Sequence, residues 1–399
     1  MKFGIDVLLE DRKQLARLKN SRIGLLGHPA SLTAELHHSL DAAIGTGIRI
    51  EAAFGPQHGI FGDKQDNMVE TADSIHPTHG IPVFSLYGKT RHLTSEMLDA
   101  FDILLVDIQD IGCRIYTFIS TLFYLLDDCA AANKQVWILD RPNPIGRPIE
   151  GPRLVPGQES FVGAAPIPMR HGLTLGEAAD WYCQSHGLDL DLTTIRMQDY
   201  HPDQGPGYGW PLHEHPWVNP SPNIPTLNAA RVFPGSVLLE GTTISEGRGT
   251  TRSLETIGAP DILIQPILEK MQDDADDLFE ACRIRPCWFE PTFNKHSGNL
   301  CQGFQVHTDC SVYRPEAFRP YRLMAMFLKT LRTLSPSYPI WRDFPYEYVT
   351  DRLAIDVING STNLREWVDN PDSGYPDLDS RLVSDEVSWL NESRRFRLY

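Results

Sequence analysis

Polar and ionisable side chains follow each of five short apolar runs in the first 145 residues. They are His28 after the first run; Gln57, His58 and Asp63 after the second; Tyr87 and Lys89 after the third; Asp107, Gln109, Asp110 and Arg114 after the fourth; and Asp140, Arg141 and Asn143 after the fifth. Carboxylates and amides bind hydroxyl groups, aromatic faces pack on sugar rings, and arginine pairs with carboxylates. The set therefore predicts a cleft for a small, polyhydroxylated ligand.

The second of these turns reads FGPQHGIFGD and contains Gln57 and His58. Cleavage of a glycoside typically needs an acid that protonates the leaving oxygen. It also needs a second group, or the substrate itself, to stabilise the cation. A primary amide cannot supply that proton at neutral pH. Gln57 therefore stands at a favoured position for chemistry without being an acid.

The apolar runs predict strands, and the stretches between them predict helices. Several runs are nearly continuous in Ile, Val and Leu, as is typical of strands covered on both faces. The runs are 22–27, 48–54, 81–86, 102–108 and 135–140. Helices are expected from near Ser31 to near Gly45, from Thr94, over 114–133, and from the capping box Thr174 and Glu177 to Gly187. Strands that alternate with helices predict an α/β fold with a doubly wound parallel sheet.

The second half of the chain differs from the first in composition and in its pattern of apolar residues. Residues 197–235 are dense in Pro, Gly and aromatics, which is typical either of a linker or of a long ordered functional loop. Beyond them, helices are expected at 261–274, 315–333 and 376–394, with a strand-like run in CQGFQVHTD. A length of 399 residues exceeds one ordinary core, so we expect two domains, 1–235 and an α+β domain at 236–399.

Composition and missing motifs exclude several function classes. The net charge of −16 disfavours nucleic acid and anionic membranes as partners. The chain has no G-x-G-x-x-G turn, no G-x-x-x-x-G-K-[ST] loop and no G-x-S-x-G elbow. The glycines of EGRGTT at 246–251 form a turn near the cleft or a phosphate cradle. We expect no cofactor.

The histidine and cysteine patterns also predict no metal site and no disulfide framework. His76 with His79, and His213 with His215, are close in sequence but have no convincing third ligand. Seven scattered cysteines predict buried thiols. The N-terminal residues contain no apolar core long enough for a signal peptide, and no stretch approaches the ~20 residues of a membrane span. We therefore expect a cytoplasmic location.

Nine motifs together resemble one family. In chain order they are FGPQHG, SLYGK, DIQDIGCRIYT, LDRPNP followed by IEGP, HGLTLGE, PSPNIPT, EGTTISEGRGTT, PTFNKHSG and CQGFQVHTD. They resemble the exo-β-N-acetylmuramidase (NamZ-type) glycoside hydrolases, formerly a domain of unknown function. The resemblance implies a Rossmann-like N-terminal domain, a smaller C-terminal domain and an active-site cleft between them. It also implies release of N-acetylmuramic acid from the non-reducing ends of peptidoglycan fragments, as in cell wall recycling.

The resemblance extends the predicted binding site into the C-terminal half. Arg114, Arg141 or Arg248 would pair with the lactyl carboxylate of muramic acid. Glu246 would be a second polar group from that half, or a turn carboxylate paired with Arg248. The predicted substrate-binding residues are His28, Tyr87, Gln109, Arg114, Tyr116, Asp140, Arg141, Asn143, Asn223, Glu246 and Arg248.

One departure from the family pattern concerns the acid itself. The family turn normally reads PEHG, with glutamate as the proposed catalytic acid, whereas this chain reads PQHG. A second departure is His28, where relatives tend to carry asparagine. A nearby carboxylate such as Asp63, Asp66 or Glu70 takes over, or Gln57 binds within an altered mechanism, or the site binds without turnover. The predicted catalytic residues are Gln57, His58, Asp63, Glu70 and Asp110.

These outcomes leave three readings of function open. The leading one is an exo-β-N-acetylmuramidase-like hydrolase acting on a small amino sugar or muropeptide. The second is a catalytically disabled protein that binds such ligands. The third is a related glycosidase or transferase with a different substrate.

Overall fold

Strands and helices alternate through the first 195 residues of the chain, as the apolar runs predicted. The computed structural model describes residues 1–66 and 68–399. The first elements are α1 (Gly4–Glu10), α2 (Arg12–Lys19), β1 (Ile23–Gly27), α3 (Ser39–Gly45), β2 (Ile50–Gly55), β3 (Ser74–Ile75), β4 (Pro82–Ser85), α4 (Ser95–Asp99), β5 (Ile103–Asp107) and α5 (Phe118–Ala131). They are followed by β6 (Gln135–Leu139), β7 (Glu150–Arg153), β8 (Pro168–Arg170), α6 (Leu175–His186) and β9 (Asp191–Ile195).

Seven of these strands form one sheet in the order β3-β4-β2-β1-β5-β6-β9. All neighbours are parallel except the short edge strand β3. From β1 the chain proceeds to β2 and β4 on one side and later to β5, β6 and β9 on the other. Leu26 in β1 pairs with Phe54 in β2 and Val106 in β5, and all three are buried. The predicted α/β class with a doubly wound sheet is confirmed, and its switch point lies at the carboxyl ends of β1, β2 and β5.

Two helix limits show which local signals were decisive. Helix α6 begins at the capping box of Thr174 and Glu177 and ends at the left-handed Gly187, as predicted. The helix expected from Ser31 begins only at Ser39, because the His38 side chain accepts a hydrogen bond from the Leu40 N–H at 3.2 Å and caps it. Strand β9 was missed, since its sequence DLTTI is too polar to resemble a buried strand.

The second half contains a three-stranded antiparallel sheet covered by helices. Its elements are α7 (Leu227–Ser236), β10 (Thr256–Ala259), α8 (Ile264–Asp274), β11 (Arg283–Phe289), β12 (Cys301–His307), α9 (Pro320–Leu334), α10 (Ala354–Asn359), α11 (Asn363–Asp369) and α12 (Tyr375–Ser393). The strands lie in the order β10-β12-β11. This is the smaller α+β unit that the sequence predicted. The boundary at 235 stays a prediction; α7 spans it and packs on α9.

The segment before α7 is ordered rather than a free linker. Trp210 is buried and packs edge-on against Trp217, with ring centroids 5.0 Å apart. Apolar side chains of both halves, such as Phe118 and Phe304, belong to one contiguous core. In the described part of the chain, no helix combines the length and apolar character needed to cross a membrane.

Candidate active site

A narrow pocket lies where the turn after β2 meets the start of α5 and the second half of the chain. Its apolar lining includes Ile115, Val162, Ile224, Phe233, Val237 and Leu254. Its polar lining consists of Gln57, His58, Tyr116, Thr117, Ser221, Glu240, Arg248, Tyr346 and Glu347. The free space is about 40 Å³, room for about three water molecules. A sugar ring therefore enters only when part of the wall moves.

Gln57 is positioned by the sharp turn at the end of β2. Gly55 must be glycine there, because a Cβ would lie 2.6 Å from the Ile60 nitrogen. The hydroxyl of Thr117, next to the first turn of α5, donates to the Gln57 Oε1 at 2.7 Å. The Gln57 side chain also lies beside the Glu347 carboxylate in the same pocket, where it favours the ionised form of Glu347.

Glu347 contributes a buried carboxylate from the other half of the chain. Its side chain is largely buried, and the Tyr87 hydroxyl lies 2.9 and 3.0 Å from its two oxygens. Burial raises the pKa of Glu347 to about 7, although the Tyr87 hydrogen bond and the Arg91 charge act in the opposite direction. Glu347 and Tyr348 both have left-handed backbone angles, with φ of 46° and 67°. Non-glycine residues hold such angles at a cost of about 1–3 kcal/mol each, a pattern that clusters at functional sites.

Glu240 provides the second carboxylate of the pocket in a contrasting environment. Arg248 donates to one of its oxygens at 2.6 Å, and the Tyr346 hydroxyl donates to the other at 2.7 Å. Arg248 also lies 3.2 Å from Glu246, which pairs with Lys295 at 2.6 Å. Burial opposes ionisation of Glu246, but the Lys295 and Arg248 charges outweigh it and keep its pKa below the ordinary value. The predicted pair of Glu246 and Arg248 is thus part of a larger buried network.

His58 lines the same pocket as a neutral ring. Its Nδ1 donates to the Lys64 carbonyl at 2.8 Å, which leaves Nε2 unprotonated. Burial, with a smaller effect of the Arg248 charge, lowers the pKa of His58 to about 4. His58 is therefore not a proton donor at neutral pH.

The other carboxylates that the sequence offered lie outside the pocket lining. Asp63 is exposed and pairs with Lys64 at 2.5 Å, and Asp66 accepts a hydrogen bond from Asn294 at 3.2 Å. Glu70 is exposed and accepts from the Tyr348 hydroxyl at 2.8 Å. Asp110 accepts from the Gly112 N–H at 2.6 Å and lies 3.5 Å from His171. The structure does not bring these four groups to the Gln57 amide.

The two N-terminal arginines of the predicted site are engaged inside the fold. Arg141 forms a buried ion pair with Asp107 at 2.5 Å and donates to the Leu32 carbonyl. Arg114 is fully buried and donates to the Asn359 carbonyl at 2.9 Å, so it ties the two halves together. Burial lowers the pKa of Arg114 to about 10. Of the three predicted partners for a ligand carboxylate, Arg248 is the one that lines the pocket.

Four further strand-end residues satisfy buried backbone or side-chain groups. His28 Nε2 accepts from the Gln109 N–H at 2.8 Å, and the Gln109 side chain donates to the carbonyls of Asp110 and Pro142. The Asn143 amide donates to the Leu173 carbonyl at 3.0 Å.

Asp140 accepts from the hydroxyls of Thr174 and Tyr399 at 2.7 and 2.9 Å, and from the Gly176 N–H at 2.9 Å. Burial and the Glu177 charge raise its pKa to about 6. These contacts anchor the loops that follow β5 and β6.

The remaining predicted binding residues surround the pocket. Tyr116 is part of its lining, and Tyr87 contacts Glu347. Asn223 donates to the Gln65 carbonyl at 2.5 Å and accepts from Ser253 at 3.2 Å, which holds the segment before α7 against the Gln57 loop. Its binding role stays a prediction.

Sequence reasoning missed Glu347, Glu240 and Thr117. Glu347 lies in FPYEYV, outside any helix or strand, and no local pattern links it to the turn at Gln57. The one available signal was a carboxylate between two tyrosines in a segment without helical or strand periodicity.

A larger open cavity lies elsewhere and includes no predicted site residue among the described residues that line it. It measures about 440 Å³ and is lined by Arg147, Arg319 and Arg397 among others. Within residues 1–66 and 68–399, no three His, Cys, Asp or Glu side chains are grouped to hold a metal ion.

Comparison with known proteins places the chain in one family. Residues 23–228 match the model of the N-terminal part of the exo-β-N-acetylmuramidase NamZ, and residues 231–399 match that of its C-terminal part. The chain belongs to the NamZ family. It is 40% identical over 369 residues to the peptidoglycan β-N-acetylmuramidase NamZ of Bacillus subtilis, covering 92% of this chain and 84% of that protein. The family resemblance seen in the nine motifs is thus confirmed.

Two crystal structures of DUF1343-family proteins from Bacteroides fragilis share the fold. One superposes with a TM-score of 0.83 at 28% identity, and the other with 0.76 at 24% identity. Each comparison covers 100% of this chain and 98% of the other. The α/β class and the smaller second domain of the NamZ family are therefore common to all three structures.

Proposed function

We propose that this protein is an exo-acting β-N-acetylmuramidase that releases N-acetylmuramic acid from the non-reducing end of peptidoglycan-derived saccharides. The observation that carries the proposal is the pocket around the PQHG turn. Two glutamates in different environments, Glu240 and Glu347, line this pocket together with Arg248. Pairs of carboxylates are the usual equipment of glycoside hydrolases. The identity of the sugar is inferred from the likeness to a named peptidoglycan β-N-acetylmuramidase.

Arg248 is the residue we assign to the lactyl carboxylate. It lines the pocket, whereas Arg114 and Arg141 are buried against protein acceptors. Its Nη2 pairs with Glu240 and its Nε with Glu246, which fixes the plane of the guanidinium and directs the Nη1 group to a ligand. The lactyl group is what distinguishes muramic acid from glucosamine, so this contact would set specificity.

Substrate entry requires movement of the wall that contains Tyr346 and Glu347. The free space of about 40 Å³ is too small for a sugar ring. This wall is a tight turn closed by hydrogen bonds between Tyr346 and Val349, at 3.0 and 3.1 Å. It lies between α9 and α10, outside both elements. A transient opening of this turn would admit the sugar without disturbing the sheet, and its closing would return Glu347 to its place beside Gln57.

The proposal is tested by hydrolysis of a chromogenic β-N-acetylmuramide, with the matching β-N-acetylglucosaminide as control. The two substrates differ only in the lactyl group. We expect the muramide to be cleaved faster, and Arg248→Lys to reduce the preference, because a lysine cannot make a bidentate pair. Binding of the muramide without cleavage would instead identify a catalytically disabled binding protein, and transfer products would identify a transferase.

We further propose small wall fragments, as produced in cell wall recycling, as the natural substrates. A narrow pocket suits a terminal sugar of a short saccharide better than an interior residue of a long strand. The cytoplasmic location stays a prediction, which fractionation of cells that express the protein would test.

A further inference from the structure

The family acid is replaced by an amide, yet a carboxylate lies against that amide. The Gln57 and Glu347 side chains line the same narrow pocket and interact there, with Gln57 favouring the ionised form of the carboxylate. Glu347 comes from the second half of the chain, and Gln57 comes from the turn after β2. A proton held on Glu347 therefore lies beside the place where the family pattern has its glutamate.

The two carboxylates of the pocket differ in what surrounds them. Glu240 forms an ion pair with Arg248 at 2.6 Å. Among the described residues, by contrast, Glu347 has no Lys or Arg nitrogen within ion-pair distance, and the Tyr87 hydroxyl contacts both of its oxygens. The Arg91 charge acts on it from beyond that distance and favours ionisation, whereas the Glu240 charge opposes it. When the surroundings of two active-site carboxyl groups differ, their pKa values differ, and one group typically holds the proton while the other carries the charge.

We propose that Glu347 is the proton donor of this enzyme and that Gln57 positions its carboxyl group. This inference rests on the proposed glycosidase function. During cleavage, the bond between the anomeric carbon and the leaving oxygen breaks and its electron pair stays on that oxygen, which takes the Glu347 proton. Water then adds its hydroxyl to the anomeric carbon, and the remaining proton returns to Glu347.

The turn that presents Glu347 is built for positioning. Its left-handed φ of 46° directs the side chain into the pocket, and Tyr87 contacts both carboxyl oxygens. A pKa of about 7 leaves a substantial fraction protonated at neutral pH, which is the range in which general acids work best. An amide at position 57 carries no negative charge, so no second carboxylate at that position perturbs the ionisation of Glu347.

The test compares two leaving groups in the Glu347→Gln variant. A muramyl saccharide has a poor leaving group that needs a proton, whereas a 2,4-dinitrophenyl muramide releases its phenolate unaided. We expect kcat for the saccharide to fall by about 10²–10⁴ and kcat for the dinitrophenyl substrate to change by less than about tenfold. The alkaline limb of the wild-type pH profile should also disappear in the variant.

Glu366→Gln is the matched control, because Glu366 is an exposed glutamate of α11 and lies outside the pocket lining. Its rates on both substrates should equal those of the wild type. If Glu347→Gln does not fold, Glu347→Asp moves the carboxyl group by one methylene and should slow the saccharide more than the dinitrophenyl substrate.

Equal losses on both substrates would overturn the assignment of Glu347 as proton donor while leaving the muramidase function intact. A wild-type protein that cleaves neither substrate would overturn the proposed function itself, and the assignment of Glu347 with it.

Discussion

Replacing Gln57 by glutamate, the residue that the family pattern has here, places a second carboxylate against Glu347. Two unit charges about 4 Å apart repel by about 4 kcal/mol at an effective dielectric constant of about 20, which corresponds to about three pKa units. The variant also loses the amide that favours the ionised form of Glu347 in the wild type. The pair should therefore hold one shared proton well above neutral pH. We expect the alkaline limb of kcat/KM to move up from about pH 7 by about two to three pH units.

The measurement is kcat/KM for the chromogenic muramide across the pH range, for the wild type, Gln57→Glu and the neutral control Gln57→Asn. The asparagine shortens the amide without adding charge, so it separates loss of the contact from electrostatic repulsion. An unshifted alkaline limb in Gln57→Glu would refute the electrostatic coupling of positions 57 and 347. A large gain in kcat/KM at neutral pH without any shift of the alkaline limb would show that residue 57, not Glu347, is the acid in that variant.

Three further outcomes concern stability. The raised pKa of Glu347 means that the folded state binds its proton more tightly than the unfolded state, so the contribution of Glu347 to stability is lost as pH rises from 4.5 to about 7. Glu347→Gln should gain about 3 kcal/mol relative to the wild type across that interval, measured by urea unfolding of both proteins at each pH, and a pH-independent difference would contradict it. His58 has the opposite sign, because its lowered pKa makes the unfolded state bind the proton first. The His58 contribution should fall by about 3 kcal/mol between pH 6.5 and about 4, which offsets the Glu347 contribution in the wild type over much of that range. His58→Asn, which tolerates the left-handed φ of 71°, should therefore gain about 3 kcal/mol relative to the wild type as pH falls through that interval, and an equal pH dependence in the two proteins would contradict it. Asp107→Asn leaves Arg141 buried without its carboxylate and should cost about 3–5 kcal/mol, whereas a change below about 1 kcal/mol would show that the pair is dispensable.

The five apolar runs located their strands because a strand covered on both faces must be continuously apolar, which is a local property. The same reasoning located the turn at Gln57, which the structure places in the pocket. It failed for β9, an edge strand whose residues are largely polar, and for the helix expected from Ser31, whose true start depends on the His38 cap.

The polar strand-end residues were harder to interpret than the strands themselves. Arg141, Asp140 and Asn143 have side chains that suit a sugar, but the same groups also satisfy buried charges and carbonyls. Only the packed structure shows which acceptor each donor reaches. Arg248 lines the pocket from a loop closed by the hydrogen bond between the Leu254 N–H and the Glu246 carbonyl, a placement that no spacing in the sequence reveals.

The sequence by itself determined the family, the doubly wound sheet and the presence of an amide where the family acid stands. These follow from runs of residues that are contiguous in the chain. Only the tertiary structure decided which carboxylate meets that amide. Glu347 is brought to Gln57 by the packing of the two halves against one core, and its proton affinity arises from burial there. Burial and long-range proximity are properties of the folded chain, so the site's acid–base character is visible only after folding.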